Sequence, residues 1–262
     1  MSYDTITFET ADNIARITLN RPDHANALTA RMGMELFDAA VRCSTNRDVR
    51  AIVITGKGKM FCAGGDLKDM QDQGDDKKAH LTRLATDLHG TITRLAHMDA
   101  PVIMAVNGTA AGAGFSLALS GDYVIASDQA KFVAAYTASG LTPDGSSTHY
   151  LAKHVGLLRA KELLLTNRVL RADEACTWGM VNRVVSADAL MDEADKLAAT
   201  FAAGPTKAYG GVKQLLLTAY SDTLETQLDR ETRSIAGMMG THDGPHGLAA
   251  FLNKERPRFK GA

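Results

Sequence analysis

Cysteine, tryptophan and proline are all scarce in this chain, and neither sign of charge is in surplus. The three cysteines, Cys43, Cys62 and Cys176, are far apart and form no Cys-x-x-Cys pair. That rules out a disulfide scaffold, argues against a thiolate metal site, and suits small core residues in a reducing compartment. With 29 basic against 30 acidic side chains the formal net charge is -1, which argues against a dominant nucleic-acid role, because duplex binding draws on clustered Lys and Arg. The opening Met-Ser-Tyr-Asp-Thr-Ile-Thr lacks the basic, apolar run of a signal peptide and the Arg-rich pattern of a transit peptide, so a cytoplasmic protein starting here is expected. One run, Pro101 to Gly121, is 21 residues without a charge, long enough to span a bilayer. It contains Asn107, Thr109, Ser116, Ser120 and four glycines, and so reads as buried strand, turn and helix rather than a membrane span.

What remains is an ordinary globular composition of 45% hydrophobic and 23% charged residues. A chain of 262 residues hides roughly 75% of the surface its unfolded form exposes, enough for well-packed cores without covalent help. Ile6–Glu9 and Ala15–Leu19 flank Ala-Asp-Asn as a hairpin does. Thr29 is placed to cap a helix with Met32, Leu36, Phe37, Ala40 and Val41 on one face. Ala51–Thr55 and Val102–Val106 read as buried strands, each followed by a turn, and Tyr123–Ala126 as another. Repeated strand-turn-helix units indicate an α/β class. Beyond Ser186 strands give way to helices, with Leu190, Ala194, Leu197 and Phe201 periodic and then Val212, Leu215, Leu216 and Tyr220. The expected division is residues 1–185 as a mixed core and 186–262 as a helical region, with no flexible linker between them.

Several familiar sites are excluded by reading. Gly112-Ala113-Gly114 starts like a dinucleotide fingerprint but has Leu117 where its third small residue belongs, and no Walker loop, His-Glu-x-x-His pair or Gly-x-Ser-x-Gly elbow is present. His242 and His246 are four apart, yet without a third ligand they read as solvated surface. Two Gly-rich turns remain, Phe61–Leu67 and Asn107–Gly114, each after a buried strand. Small residues there let backbone N–H groups approach a ligand, and two such turns aimed at one oxygen form an oxyanion hole. Tight helix-to-strand packing explains the same residues equally well, and spacing alone does not choose.

At these residues the sequence resembles the crotonase superfamily, the enoyl-CoA hydratase/isomerase family. The matching segments are Leu19–Leu28, Ile54–Leu67, Pro101–Gly114, Trp178–Val184 and the tail Ala250–Phe259, which together cover essentially the whole chain. The resemblance implies an α/β crotonase (ClpP-like) spiral of ββα units with a C-terminal helical trimerisation region, assembled as a homo-trimer or hexamer. It implies an acyl-CoA thioester substrate, with no metal, no membrane and no separate cofactor, since coenzyme A belongs to the substrate. The family's oxyanion donors fall on the N–H groups of Gly65 and Ala113, the latter replacing the usual glycine. CoA contacts fall on Ala25, Ala27, Ala63, Asp66, Leu67 and Lys68, and on Phe251 and Lys254 of the tail, which in relatives approach the adenine end, sometimes from a neighbouring subunit.

Hydration of a 2-enoyl thioester takes two carboxylates, and the two matching positions here hold Ser116 and Tyr136, neither of which has a glutamate's basicity. One carboxylate does stand at an alternative family position, Asp144 in Gly140-Leu-Thr-Pro-Asp-Gly145. That pattern is similar to the ring-epoxide isomerases of phenylacetate breakdown and to Δ3,Δ2-enoyl-CoA isomerases, whose aspartate moves one proton. The bland alternative makes Asp144 a turn residue between Pro143 and Gly145. Further alternatives are an enoyl-CoA hydratase, an aryl-CoA dehalogenase with Asp144 as nucleophile and His89 as base, and a non-catalytic acyl-CoA binder. Met70, Leu84, Phe115 and Phe132 are the expected walls of the acyl pocket.

Overall fold

The computed structural model describes residues 3–262. Alternating apolar residues give the antiparallel hairpin of β1 (Ile6–Ala11) and β2 (Ile14–Leu19), joined through Asp12 and Asn13 at φ 53° and 63°. Two successive left-handed residues match the right-handed twist of the strands, and Asp and Asn tolerate that region best after glycine. Helix α1 (Ala30–Thr45) follows, capped by the Thr29 hydroxyl, which accepts the Met32 N–H. Met32, Leu36 and Ala40 of its expected face are buried, joined by Ala39 and Cys43.

From here strands come in pairs that divide between two sheets. β3 (Ala51–Gly56) is followed by β4 (Met60–Cys62), then α2 (Leu67–Gln71) and the long α3 (Lys77–His97). β5 (Val102–Val106) is followed by β6 (Thr109–Ala111) and α4 (Ala113–Leu119), and β7 (Tyr123–Ser127) by β8 (Lys131–Val133) and α5 (Ser147–Thr166), which breaks at Gly156. After β9 (Leu170–Arg171), α6 (Ala172–Thr177) and β10 (Arg183–Val185), the chain is helical: α7 (Leu190–Ala202), α8 (Thr206–Thr218), α9 (Leu224–Met238) and α10 (Asp243–Leu252). The larger sheet runs β1-β2-β3-β5-β7-β10 and the smaller β4-β6-β8-β9. The first strand of each pair extends the large sheet and the second extends the small one, so the chain climbs as a spiral of ββα turns. The fully buried runs of β3 and β5 are explained by helices on both faces of the sheet. On one face, Leu36, Ile52, Ile54, Leu88 and Met104 share a core with α1 and α3; on the other, Val53, Ile103 and Ile125 pack on Leu190, Ala194 and Ala198 of α7.

Two expectations change. The apolar residues Val212, Leu216 and Tyr220 at α8 are exposed in the single chain, whereas Gly210 and Lys213 face inward. Lys213 is accommodated because Nζ donates to Leu95 O (2.8 Å) and Ala100 O (3.0 Å) and pairs with Asp122 Oδ2 (2.7 Å). Phe115 and Phe132 are core residues at 1% exposure, not pocket walls. Among the described residues, no helix is long and apolar enough to cross a membrane.

Candidate active site

Parallel pairing of β4 with β6 sets the two glycine turns that follow them side by side. The first turn is clamped by the buried Asn26, whose side-chain oxygen accepts the Arg21 N–H (2.9 Å) while its amide donates to Lys57 O (2.9 Å) and Met60 O (2.8 Å). Residues 25–28 then run along the turn: Ala63 N–H donates to Ala25 O (3.0 Å), Leu28 N–H to Gly64 O (2.7 Å) and Asp66 N–H to Leu28 O (2.9 Å). Gly64 sits at φ 98° and Gly112 at φ 51°, and a Cβ on Gly64 would lie 3.0 Å from Ala111 O and 3.4 Å from Ala113 N. A Cβ on Gly114 would collide with the Cys62 carbonyl. Tight packing is therefore real. It coexists with the other reading, because among the described residues neither the Gly65 nor the Ala113 N–H has a protein acceptor. Ala113 opens α4, where the helix itself leaves the N–H unpaired.

Asp144 stands on the loop before α5 and also lines the cavity containing both turns. Its carboxylate is not spent on its own turn. Tyr136 Oη donates to Oδ1 at 2.7 Å, and Ser116 Oγ lies 2.7 Å from the same phenol. Burial and the neighbouring Asp144 charge push the Tyr136 phenol far above its ordinary range, so it keeps its proton for donation. The backbone oxygen of Asp144 accepts from Ser147 Oγ (2.9 Å), Ser116 Oγ (2.9 Å) and Ser147 N–H (3.1 Å), which fixes the loop. Oδ2 has no hydrogen-bond donor among the described residues; it lies 3.6 Å from His89 Nε2, and that nitrogen accepts the Gly145 N–H at 3.1 Å.

The cavity is about 600 Å³. One wall is α3, with Leu81, Leu84, Ala85, Leu88 and His89; facing it are Gly65, Ala113, Tyr136, Leu141 and Asp144. Met70 closes over the first turn, its Sδ 3.8 Å and its methyl closer still to where a Gly65 Cβ would be. Met70 and Leu84 are thus in the expected wall. The α3 contribution of Leu81, Ala85 and Leu88 was not read from the sequence, although their helical spacing was the available signal.

Of the remaining residues singled out in the sequence, Ala63 and Leu67 line the cavity. Ala25 is left-handed (φ 53°), and Ala27 O accepts from Arg21. Asp66 caps α2 through the Lys68 and Asp69 N–H groups, both at 3.2 Å, and pairs with Arg21 at 3.1 Å. Burial opposes the charge of Asp66, but the Asp69 N–H and the Arg21 guanidinium outweigh it and hold the carboxyl below its ordinary range. Lys68 is exposed at the start of α2. Phe251 and Lys254 lie outside the lining, Phe251 at 80% exposure. His242 pairs with Asp243, and His246 Nε2 accepts the Arg258 N–H; among the described residues no His, Cys, Asp and Glu cluster could hold a metal ion. Arg21 and Asn26, which brace the first turn, went unnoticed in the sequence as positioning residues.

Strand pairs split between two sheets, with two unpaired N–H groups and one carboxylate lining a single cavity, define an α/β spiral protein with one candidate site. The chain belongs to the enoyl-CoA hydratase/isomerase (crotonase) family, whose match spans residues 9–262. It is similar to the 1,2-epoxyphenylacetyl-CoA isomerase of Escherichia coli (strain K12), 39% identical over 95% of this chain and 95% of that protein. It is also similar to 4-chlorobenzoyl coenzyme A dehalogenase-2 of Arthrobacter sp, 36% identical over 95% of this chain and 91% of the relative. The crystal structure of an enoyl-CoA hydratase from Polaromonas sp. JS666 superposes with a TM-score of 0.92 at 34% identity, covering 97% of this chain and 99% of that one.

Proposed function

We propose that the protein isomerises an acyl-CoA thioester, moving a double bond from the 3- to the 2-position with Asp144 as its one acid/base. The observation that carries this reading is that Asp144 shares one cavity with the free Gly65 and Ala113 N–H groups, its Oδ1 held by Tyr136 and its Oδ2 open. The thioester oxygen accepts both N–H groups. Asp144 Oδ2 takes a proton from C2, the electron pair delocalises into a dienolate stabilised by the two donors, and the same proton is delivered to C4. The electron pair stays in the substrate and the proton returns to it from the same carboxylate, so no second base is needed. Ser116 and Tyr136 stand where hydratases carry carboxylates and are tied to each other and to Asp144, so neither activates water.

Coenzyme A is assigned to Ala25, Ala27, Ala63, Asp66, Leu67 and Lys68, with Phe251 and Lys254 supplied by a neighbouring copy of the chain. The exposed apolar residues of α8, α9 and α10 are the surface such a trimer would bury.

The 3.6 Å approach of His89 to Asp144 favours one second reading, an aryl-CoA dehalogenase in which Asp144 Oδ2 displaces halide from the ring. The test is ultraviolet absorbance on mixing the protein with a 3-enoyl-CoA, with crotonyl-CoA and 4-chlorobenzoyl-CoA in parallel. Conjugation should appear with the first while the other two stay unchanged. Hydration of crotonyl-CoA or release of chloride overturns the isomerase, and no change with any of the three leaves acyl-CoA binding alone.

A further inference from the structure

The Gly145 N–H reaches His89 at Nε2, 3.1 Å away. A peptide nitrogen only donates, so Nε2 presents its lone pair and the ring proton sits on Nδ1. The same Nε2 is 3.6 Å from Asp144 Oδ2, too long for a hydrogen bond and with no proton to share. In this arrangement His89 does not exchange protons with Asp144. The bond to Gly145 is held in place by the turn: Gly145 is at φ 57°, and a Cβ there would lie 2.8 Å from Ser116 Cβ and 3.2 Å from Leu88. The imidazole is about half exposed and lines the cavity, and among the described residues Nδ1 has no protein partner.

We propose that the Nδ1–H of neutral His89 selects the substrate, favouring acyl-CoA thioesters that carry an acceptor oxygen, such as an ether or keto group, beyond the reacting carbons. The inference rests on the acyl-CoA isomerase reading above. Around the imidazole the wall is Leu81, Leu84, Ala85, Leu88 and Leu141, so an acyl group seated there expels water. The nearby threonines of α3 use their hydroxyl protons on the helix itself, Thr82 on Lys78 O (2.8 Å) and Thr86 on Thr82 O (2.7 Å). His89 and Lys78 are then the cavity donors on that wall, and Lys78 stands eleven residues away, about 16 Å along α3 in its first turn, so His89 is the donor beside Asp144. A plain alkenyl chain strips its N–H of water and returns nothing, whereas an oxygen pairs with it. Sites built around a donor discriminate strongly against ligands that lack the acceptor.

The test is a matched pair of 3-enoyl-CoA thioesters differing by one oxygen in place of a remote methylene. Wild-type kcat/KM should favour the oxygen-bearing substrate on the order of 10- to 100-fold. His89→Phe should bring that ratio near one, and His89→Asn, which keeps an N–H donor, should restore part of it. A wild-type ratio near one, or an unchanged ratio in His89→Phe, overturns the proposal. Calorimetric Kd values for the two saturated analogues, which have no double bond to move, separate the two readings. If neither 3-enoyl thioester reacts but the oxygen analogue binds more tightly, only the isomerase falls; equal Kd values remove the His89 donor. Nitrogen-15 NMR of the wild-type ring should show Nδ1 protonated and Nε2 bare, and the reverse tautomer also overturns the proposal.

Discussion

The Tyr136 hydroxyl donates to Asp144 Oδ1 at 2.7 Å and is itself backed by Ser116 Oγ at 2.7 Å. With Asp144 ionised, proton count fixes the direction: Tyr136 must give its one proton to the carboxylate, and Ser116 gives its own to Tyr136 or to Asp144 O. Tyr136→Phe keeps the ring's packing and deletes the donor. A hydrogen bond to a charged group is worth roughly 1.5–3 kcal/mol, so kcat/KM for the preferred thioester should fall on the order of 10- to 100-fold with little change in Tm. An unchanged rate would show that Asp144 holds its position without the phenol.

Ala113 is the first residue of α4, and the first helical position is the one where proline is tolerated, because its N–H is unpaired anyway. Ala113→Pro therefore keeps the helix but removes one oxyanion donor and puts a ring carbon in its place. Turnover should drop at least 10²-fold while circular dichroism stays that of the parent. Retained turnover would mean that Ala113 does not serve the thioester oxygen.

Lys213 is 8% exposed at its side chain and pairs with Asp122 at 2.7 Å, tying α8 to the end of α3 and the start of β5. Burial lowers the lysine's affinity for its proton and raises that of the aspartate, so each keeps its charge mainly through the other. Lys213→Met leaves Asp122 with the Val102 N–H (2.8 Å) as its donor and leaves the Leu95 and Ala100 carbonyls without Nζ, and should cost about 1–3 kcal/mol in a denaturant titration. Adding Asp122→Asn to the same chain should recover part of that loss, and the double-mutant cycle measures how much.

Glu35 accepts from Asp4 N–H (2.9 Å), Thr5 N–H (2.8 Å), Thr5 Oγ1 (2.6 Å) and Arg31 Nε (2.7 Å). Burial opposes its charge, but the Asp4 and Thr5 donors and Arg31 outweigh it and hold the carboxyl below its ordinary value of 4.5. The folded state then binds its proton less readily than the unfolded one. The stabilisation is complete above about pH 4.5 and is lost as the pH falls through the lower folded value. Glu35→Gln should cost roughly 1–3 kcal/mol at pH 6 and flatten the loss of stability between pH 5 and 3, read from urea midpoints.

The parts of this fold legible in the sequence are those whose signal is local. Ala51–Ile54 and Val102–Val106 are apolar throughout because helices cover both faces of the sheet, and Thr29 caps α1 through a hydroxyl three residues from its partner. The helical period of α8 was equally legible, but which face turned inward depended on Asp122, from a strand junction far back in the chain. The same limit applies in the cavity. Glycine-rich turns announce themselves, yet whether Phe115 or Leu81 lines the cavity depends on where α3 docks against α1, and no linear pattern records that. Asp144 stands out in the sequence through the family resemblance, but that Tyr136 engages Oδ1 and leaves Oδ2 without a hydrogen-bond donor depends on how two loops meet.

Gly64 and Gly112 meet backbone to backbone, a Cβ on Gly112 lying 3.4 Å from Gly64 Cα. Widening one turn therefore displaces the other, and both donors drift together. A combinatorial library aimed at new acyl groups would waste its diversity there. The productive positions are Leu81 and Ala85, one turn apart on α3 and only half-buried, whose side chains can be resized without moving either amide, whereas Leu88 is also part of the core.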